Sequence, residues 1–155
     1  MQVTATEDIA ASIEHVFAEL TDYQVLERQA LRRGIDVRRT FKGPAPQIGE
    51  GWNAKFRFRG KEREALILLD GMEAPHALSF SGTSGGLNTR TQIELVPLSP
   101  TRTRVNVVFK MVPQSLWARL LVQSFKMARS TINTRFKKRM AGYARDIEGK
   151  VAKSA

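Results

Sequence analysis

The chain has no cysteine in its 155 residues, which removes disulfides, thiolate nucleophiles and cysteine-based metal sites together. Histidine is nearly as scarce. His15 and His76 are the only two, too few to build a structural zinc site without sulfur ligands. No apolar run approaches the roughly 18 residues that cross a bilayer as a helix. The first residues, "MQVTATEDIA", lack the cationic stretch and apolar segment of a secretory signal, so a cytoplasmic location is the expectation. There is no internal repeat or low-complexity tract. Acidic residues run short only at one end: residues 1–114 hold 15 Lys and Arg against 13 Asp and Glu, and residues 115–155 hold 10 against 2. Most of the +10 net charge is therefore C-terminal, where a local field can steer an acidic partner.

What remains is the composition of an ordinary globular chain, 42% hydrophobic and 26% charged. A chain of this length is expected to form one domain over 1–155 and to bury about 68–70% of the surface its unfolded form exposes. Val3 to Ile9 alternate, predicting a strand with Val3, Ala5, Glu7 and Ile9 on one face. Ser12 can cap a short helix whose Ile13, Val16, Phe17 and Leu20 recur at helical spacing. Thr21 and Gln24 fit a capping box for a second helix that stops at Gly34.

From Ile35 the hydrophobic period falls to two through six stretches: "IDVRRTFK", "WNAKFRF", "EREALILLDGM", "HALSFSG", "NTRTQIELV" and "RTRVNVVFKMV". The short Gly- and Pro-bearing joints between them predict antiparallel neighbours, with all six prolines in joints. After Pro113 one long helix is expected. Its apolar stripe runs through Trp117, Leu121, Phe125, Ala128, Ile132, Phe136, Met140, Tyr143 and Ile147.

Trp52 to Arg59 interleaves aromatics with cations, a composition shared with nucleic-acid platforms. Successive side chains of a strand point to opposite sides, however, so Trp52, Ala54, Phe56 and Phe58 separate from Asn53, Lys55, Arg57 and Arg59. The two-faced strand is the better reading, and nucleic acid is not the expected partner.

Gly82 to Gly86 matches the spelling of a hydrolase nucleophile elbow around Ser84. That motif needs a helix after the serine and a histidine later in the chain. Here a strand follows and both histidines come earlier, so a glycine hairpin is expected. His15 lies off the apolar stripe of its helix and His76 follows Pro75 in a joint, and neither receives a catalytic role. Parity places Glu7 and Arg39 on inward faces, with Thr89 and Thr91 inward on the sixth strand of the sheet. These four are candidate polar contacts in an apolar pocket, against the alternative that both charges snorkel to water at strand ends. Arg119, Lys126 and Lys137 form a basic flank of the terminal helix. It reads as a solvated face, as recruitment to an anionic membrane, or as an RNA contact.

The order of strand, two short helices, six antiparallel strands and long helix resembles the helix-grip fold of the START and birch-pollen-allergen superfamily (SRPBCC). "IAASIEHVFAELTD" (9–22), "GEGW" (49–52) and "GTSGGL" (82–87) are similar to that family's opening segment, third-strand start and glycine-rich hairpin. Ser12 stands where a proline is frequent. The resemblance implies an α+β fold, a seven-stranded antiparallel sheet gripping a long C-terminal helix, with a cavity between. Similar members include polyketide cyclase or dehydrase-like proteins, coenzyme-Q-binding proteins, and lipid or hormone carriers. They share no catalytic residues, so the fold supplies no reaction, and no cofactor or metal is expected.

The pocket is expected among Trp52, Phe56, Phe58, Leu66, Leu68, Phe80, Ile93, Phe109, Leu121, Phe125 and Ile132. Its expected role is binding a small hydrophobic molecule such as a lipid, quinone or polyketide-like compound. Uptake would need the terminal helix or the loop of residues 43–51 to move. The alternatives are a cyclase or dehydrase-like enzyme acting by substrate positioning, with Glu7 and Arg39 as its charged groups, and a ribosome- or RNA-associated protein.

Overall fold

The computed structural model describes residues 1–154, Ser154 through its backbone alone. The elements in chain order are β1 (Gln2–Ile9), α1 (Ile13–Leu20), α2 (Tyr23–Arg32), β2 (Asp36–Arg39), β3 (Gly51–Phe58), β4 (Lys61–Glu73), β5 (Ala77–Ser84), β6 (Leu87–Ser99), β7 (Arg102–Pro113), α3 (Leu116–Met127) and α4 (Arg129–Ser154). The seven strands form one antiparallel sheet in the order β1-β7-β6-β5-β4-β3-β2. Every neighbour except the β1–β7 pair is consecutive in sequence. α1 and α2 carry the chain from one edge of the sheet to the other.

Local chemistry sets the helix starts. Ser12 Oγ accepts from His15 N at 3.2 Å, capping α1. The second cap is Asp22, which accepts from Val25 N, and not Thr21; the Thr21 hydroxyl instead donates to Phe17 O and closes α1. Asp22 is an equally good cap one residue later, so the capping-box pattern was only one position early. Five prolines lie in or at the ends of joints, but Pro97 falls inside β6 beside a register shift, where a bulge spares its missing N–H.

Residues paired across the ladder share a face. The inner face carries Val3, Ala5, Glu7 and Ile9 of β1 opposite Phe109, Val107, Val105 and Thr103 of β7. It continues through Thr89, Thr91, Ile93 and Leu95 to Leu78 and Phe80, and then to Ile67, Trp52 and Arg39. Leu66 and Leu68 belong to the other face. They pair with Asn53 and Gly51 on one side and with Thr83 and Ser81 on the other, so both point away from the grip and are removed from the pocket. Their partners on the concave side are Ala65, Ile67 and Leu69.

The C-terminal rod is long but bends. α3 ends at Met127, Ala128 leaves helical geometry at φ −101° and ψ 20°, and α4 begins at Arg129. Ser124 Oγ donates back to Leu121 O at 2.8 Å, one turn before the bend; such back-bonding competes with the helix ladder and bends it. The bend lets α3 pack on β7 while α4 runs along β1 and α1. Ala144 and Ile147 of α4 join Ile9, Val16, Leu95, Val105 and Val107 in the main core. A second cluster unites Val3, Met111 and Val122 with Phe109, Phe125 and Ile132. A third gathers Tyr23, Phe41 and Trp52 beneath α2. Over the centre of the sheet the grip is incomplete: inner-face Phe56, Ala65, Ile67, Phe80, Thr91 and Phe109 all keep partial exposure.

Candidate functional site

A hollow of about 220 Å³ lies between the sheet and the two helices α1 and α4. Its floor is β1, β7 and β6, through Ala5, Glu7, Val105, Val107, Thr91 and Ile93. Its roof is Val16 and Leu20 of α1 with Phe136, Met140, Tyr143 and Ile147 of α4. The wall is almost wholly hydrocarbon, so Glu7 and Thr91 meet the space chiefly through carbon. Glu7 makes no ion pair among the described residues. Tyr143 donates its hydroxyl to Glu19 O at 3.4 Å. Burial, helped by the carboxylates of Glu19, Asp22 and Asp146, pushes its phenol up to about 12, so it stays protonated and a donor at neutral pH.

A second hollow of about 210 Å³ sits under α2, lined by Tyr23, Leu26, Ala30, Val37, Ile67 and Phe80 with Trp52. Phe80 and Thr91 are direct ladder partners on the inner face, so the two hollows flank each other across the β5–β6 pair. At the rim of the second, Glu27 accepts from Arg39 Nε at 2.8 Å, Arg39 Nη2 at 2.7 Å and Trp52 Nε1 at 2.9 Å. The Arg39 hydrogen bonds hold the Glu27 carboxyl below its usual range, with the indole adding to them against partial desolvation. Arg39 Nη1 also donates to Gly43 O at 3.0 Å, and its guanidinium lies 5.2 Å from the Phe41 ring. Trp52 is fixed edge-on against Phe41 and tilted against Tyr23.

The expected site residues therefore divide. Glu7, Thr91 and Ile93 border the first hollow; Trp52 and Phe80 border the second. Glu7 and Arg39 stand on the two opposite edge strands, so they do not form one charged pair, and Arg39 is saturated by Glu27. Thr89 is inward but packs against Gly82. Phe109, Phe125 and Ile132 pack in the second cluster, Leu121 is buried on α3, and Phe56 and Phe58 line the uncovered part of the sheet. The hollow-lining helix residues Phe136, Met140, Tyr143 and Ile147 were visible as a stripe but not separable from core.

Sequence reasoning placed Trp117 in the apolar stripe but missed Arg63 and the contact between the two. The Arg63 guanidinium lies 4.3 Å from the Trp117 ring centre, and Arg59 donates to Ser124 Oγ at 2.8 Å. Together they tie the β3–β4 hairpin to α3. Inward parity of Arg63 opposite Phe56 was the available signal. Ser84 sits in a hairpin and donates to Glu64 O at 2.6 Å, with Gly85 and Gly86 at positive φ and strand β6 following. No elbow exists there. His15 and His76 are both exposed.

Neither protein-family models nor curated proteins match this chain. Solved structures do. An aromatase/cyclase, ZhuI, from a Streptomyces species matches at TM-score 0.67 and 14% identity over 97% of this chain and 95% of its own. Norcoclaurine synthase from Thalictrum flavum, solved with dopamine and hydroxybenzaldehyde, matches at 0.66 and 14% over 100% and 88%. A START superfamily protein from Mycobacterium smegmatis matches at 0.53 and 14% over 86% and 95%. The chain has the helix-grip fold of these solved structures.

Proposed function

We propose that this protein binds a small hydrophobic molecule, a lipid, quinone or polyketide-like compound, between the inner face of the sheet and α1 and α4. The observation that carries the reading is the hydrocarbon-lined hollow of about 220 Å³. Its lining presents hydrocarbon surface, and covering such surface with a hydrophobic guest is favourable. The second hollow and the partly uncovered centre of the sheet beside it give a longer molecule room to extend. Solved neighbours that hold or process aromatic compounds support a small-molecule role. A cytoplasmic location is part of the same proposal.

Native mass spectrometry of freshly purified protein should show a co-purifying small molecule, and decylubiquinone or palmitate should raise the melting temperature of stripped protein. Ala144→Phe, which fills the hollow from α4, should abolish both while leaving the protein folded. A stripped protein indifferent to every hydrophobic compound tried would end the proposal.

An enzymatic reading, cyclase or dehydrase-like, is favoured by one observation: Glu7 lines the hollow and makes no ion pair among the described residues. Conversion of an unfolded polyketide chain by the native protein and not by Glu7→Gln would establish it.

A further inference from the structure

The outward face of α3 is apolar where a solvent-facing helix is ordinarily polar. Leu116, Leu120 and Met127 are 73%, 64% and 84% exposed. At about 100° per residue they fall within an arc of about 40°, opposite the buried Ala118, Leu121 and Val122. They make an apolar ridge, interrupted by exposed Gln123 between Leu120 and Met127; exposed Leu31 lies elsewhere, and Ile48 and Met72 line a separate hollow. The ridge is held firmly. Ser115 Oγ accepts from Ala118 N at 3.1 Å and donates to Gly85 O at 2.9 Å, and the Arg59 and Arg63 contacts brace the helix from the hairpin side.

The surroundings carry charge of one sign. Residues 95–145 contain eleven Lys and Arg and no Asp or Glu. Arg119 and Lys126 flank the ridge and Arg129 stands beyond its end; all three are exposed. None of them forms an ion pair among the described residues.

We propose that the outer face of α3 docks on an anionic lipid bilayer. Leu116, Leu120 and Met127 enter the boundary between headgroups and acyl chains, while Arg119, Lys126 and Arg129 meet the phosphates. An interfacial helix gains both from buried apolar area and from attraction to anionic lipid. A convex ridge fits a soft interface without a matching groove. Nucleic acid would give the cations partners but leave the three apolar side chains nothing to bury against. A second copy would bring two faces of the same charge together, which is repulsive. The proposal goes beyond ligand binding and holds whether or not the hollow carries a guest. It puts the membrane against one side of α3 while the other side faces the sheet.

The test is co-sedimentation of the full chain with vesicles of phosphatidylcholine alone and of phosphatidylcholine mixed with phosphatidylglycerol, across a salt series. Binding should require phosphatidylglycerol and weaken as salt rises. Leu120→Glu and Met127→Glu should each lower partitioning about tenfold with an unchanged thermal melt, since both side chains are exposed. Arg119→Gln and Lys126→Gln should each lower it about fivefold. The proposal is overturned by any of three results: no binding to phosphatidylglycerol vesicles at low salt; binding untouched by Leu120→Glu and Met127→Glu; or, with no vesicle binding, a lipid-free dimer or an RNA complex. Ridge-dependent vesicle binding alongside an empty, ligand-indifferent hollow would remove the proposed function and keep this one.

Discussion

Arg39 shows how parity can place a side chain correctly and still mislead about its work. Its alternation with Val37 puts it on the inner face, where the structure has it, but its partner is Glu27 of α2. Nothing in the local sequence says that α2 comes to rest against β2 and β3, because that docking depends on the third apolar cluster. Glu7 was legible for the opposite reason, since β1 alternates cleanly and ends at Ile9 in the main core. The lowered Glu27 pKa has a pH consequence. Its stabilising contribution is fully present above the ordinary value of 4.5 and is lost as pH falls through the folded-state value below it. Urea denaturation from neutral pH down through that window should therefore show a steeper loss for the native protein than for Glu27→Gln. Equal slopes would mean that Arg39 and Trp52 do not favour the carboxylate.

Strand and helix order was readable throughout because the hydrophobic period switches cleanly from 3.6 to 2 and back. β4 was the exception in its facing. Ala65 to Leu69 are five apolar residues in a row, so composition alone cannot choose a parity there. The charged residues before them do not choose it either: Glu62 and Glu64 share the outward side with Leu66 and Leu68, but Lys61 and Arg63 share the inward side with Ala65 and Ile67. The bend at Ala128 was illegible because neither glycine nor proline marks it; it follows from the Ser124 back-bond and from packing on two different strands. Two glycines test the elements with opposite signs. A Cβ at Gly51 would run into the Ile67 carbonyl, so Gly51→Ala should cost about 4 kcal/mol or more, or prevent folding. Gly142 in α4 has open space around it, so Gly142→Ala should stabilise by about 0.5–1 kcal/mol. Chemical denaturation of the two variants measures both.

At the scale of the molecule, burial is graded across the sheet. β7 alternates deeply buried residues beneath α3 and α4, whereas β2 is a four-residue edge strand with no buried position. Hydrogen exchange should find the amides of β7 and its ladder with β6 the slowest and those of β2 the fastest among the strands. Similar protection in β2 and β7 would contradict the placement of the core at the β1 side. The general architecture was available from the sequence because seven alternating segments with short joints leave few ways to build a sheet. The hollow was not, since the helical stripe that roofs it reads the same whether it meets side chains or space.

The β1–β7 pairing carries one last implication, for how the molecule comes into being. Glu7 finds its neighbour in Val105, about a hundred positions further on, so during synthesis the first strand emerges long before the surface it belongs to. Nascent β1 must stay unpaired until β7 has followed it out of the ribosome, and closing so wide a loop is slow relative to forming the local hairpins. Maturation should thus end at that edge, with the β2–β6 meander already assembled and waiting for its outermost member.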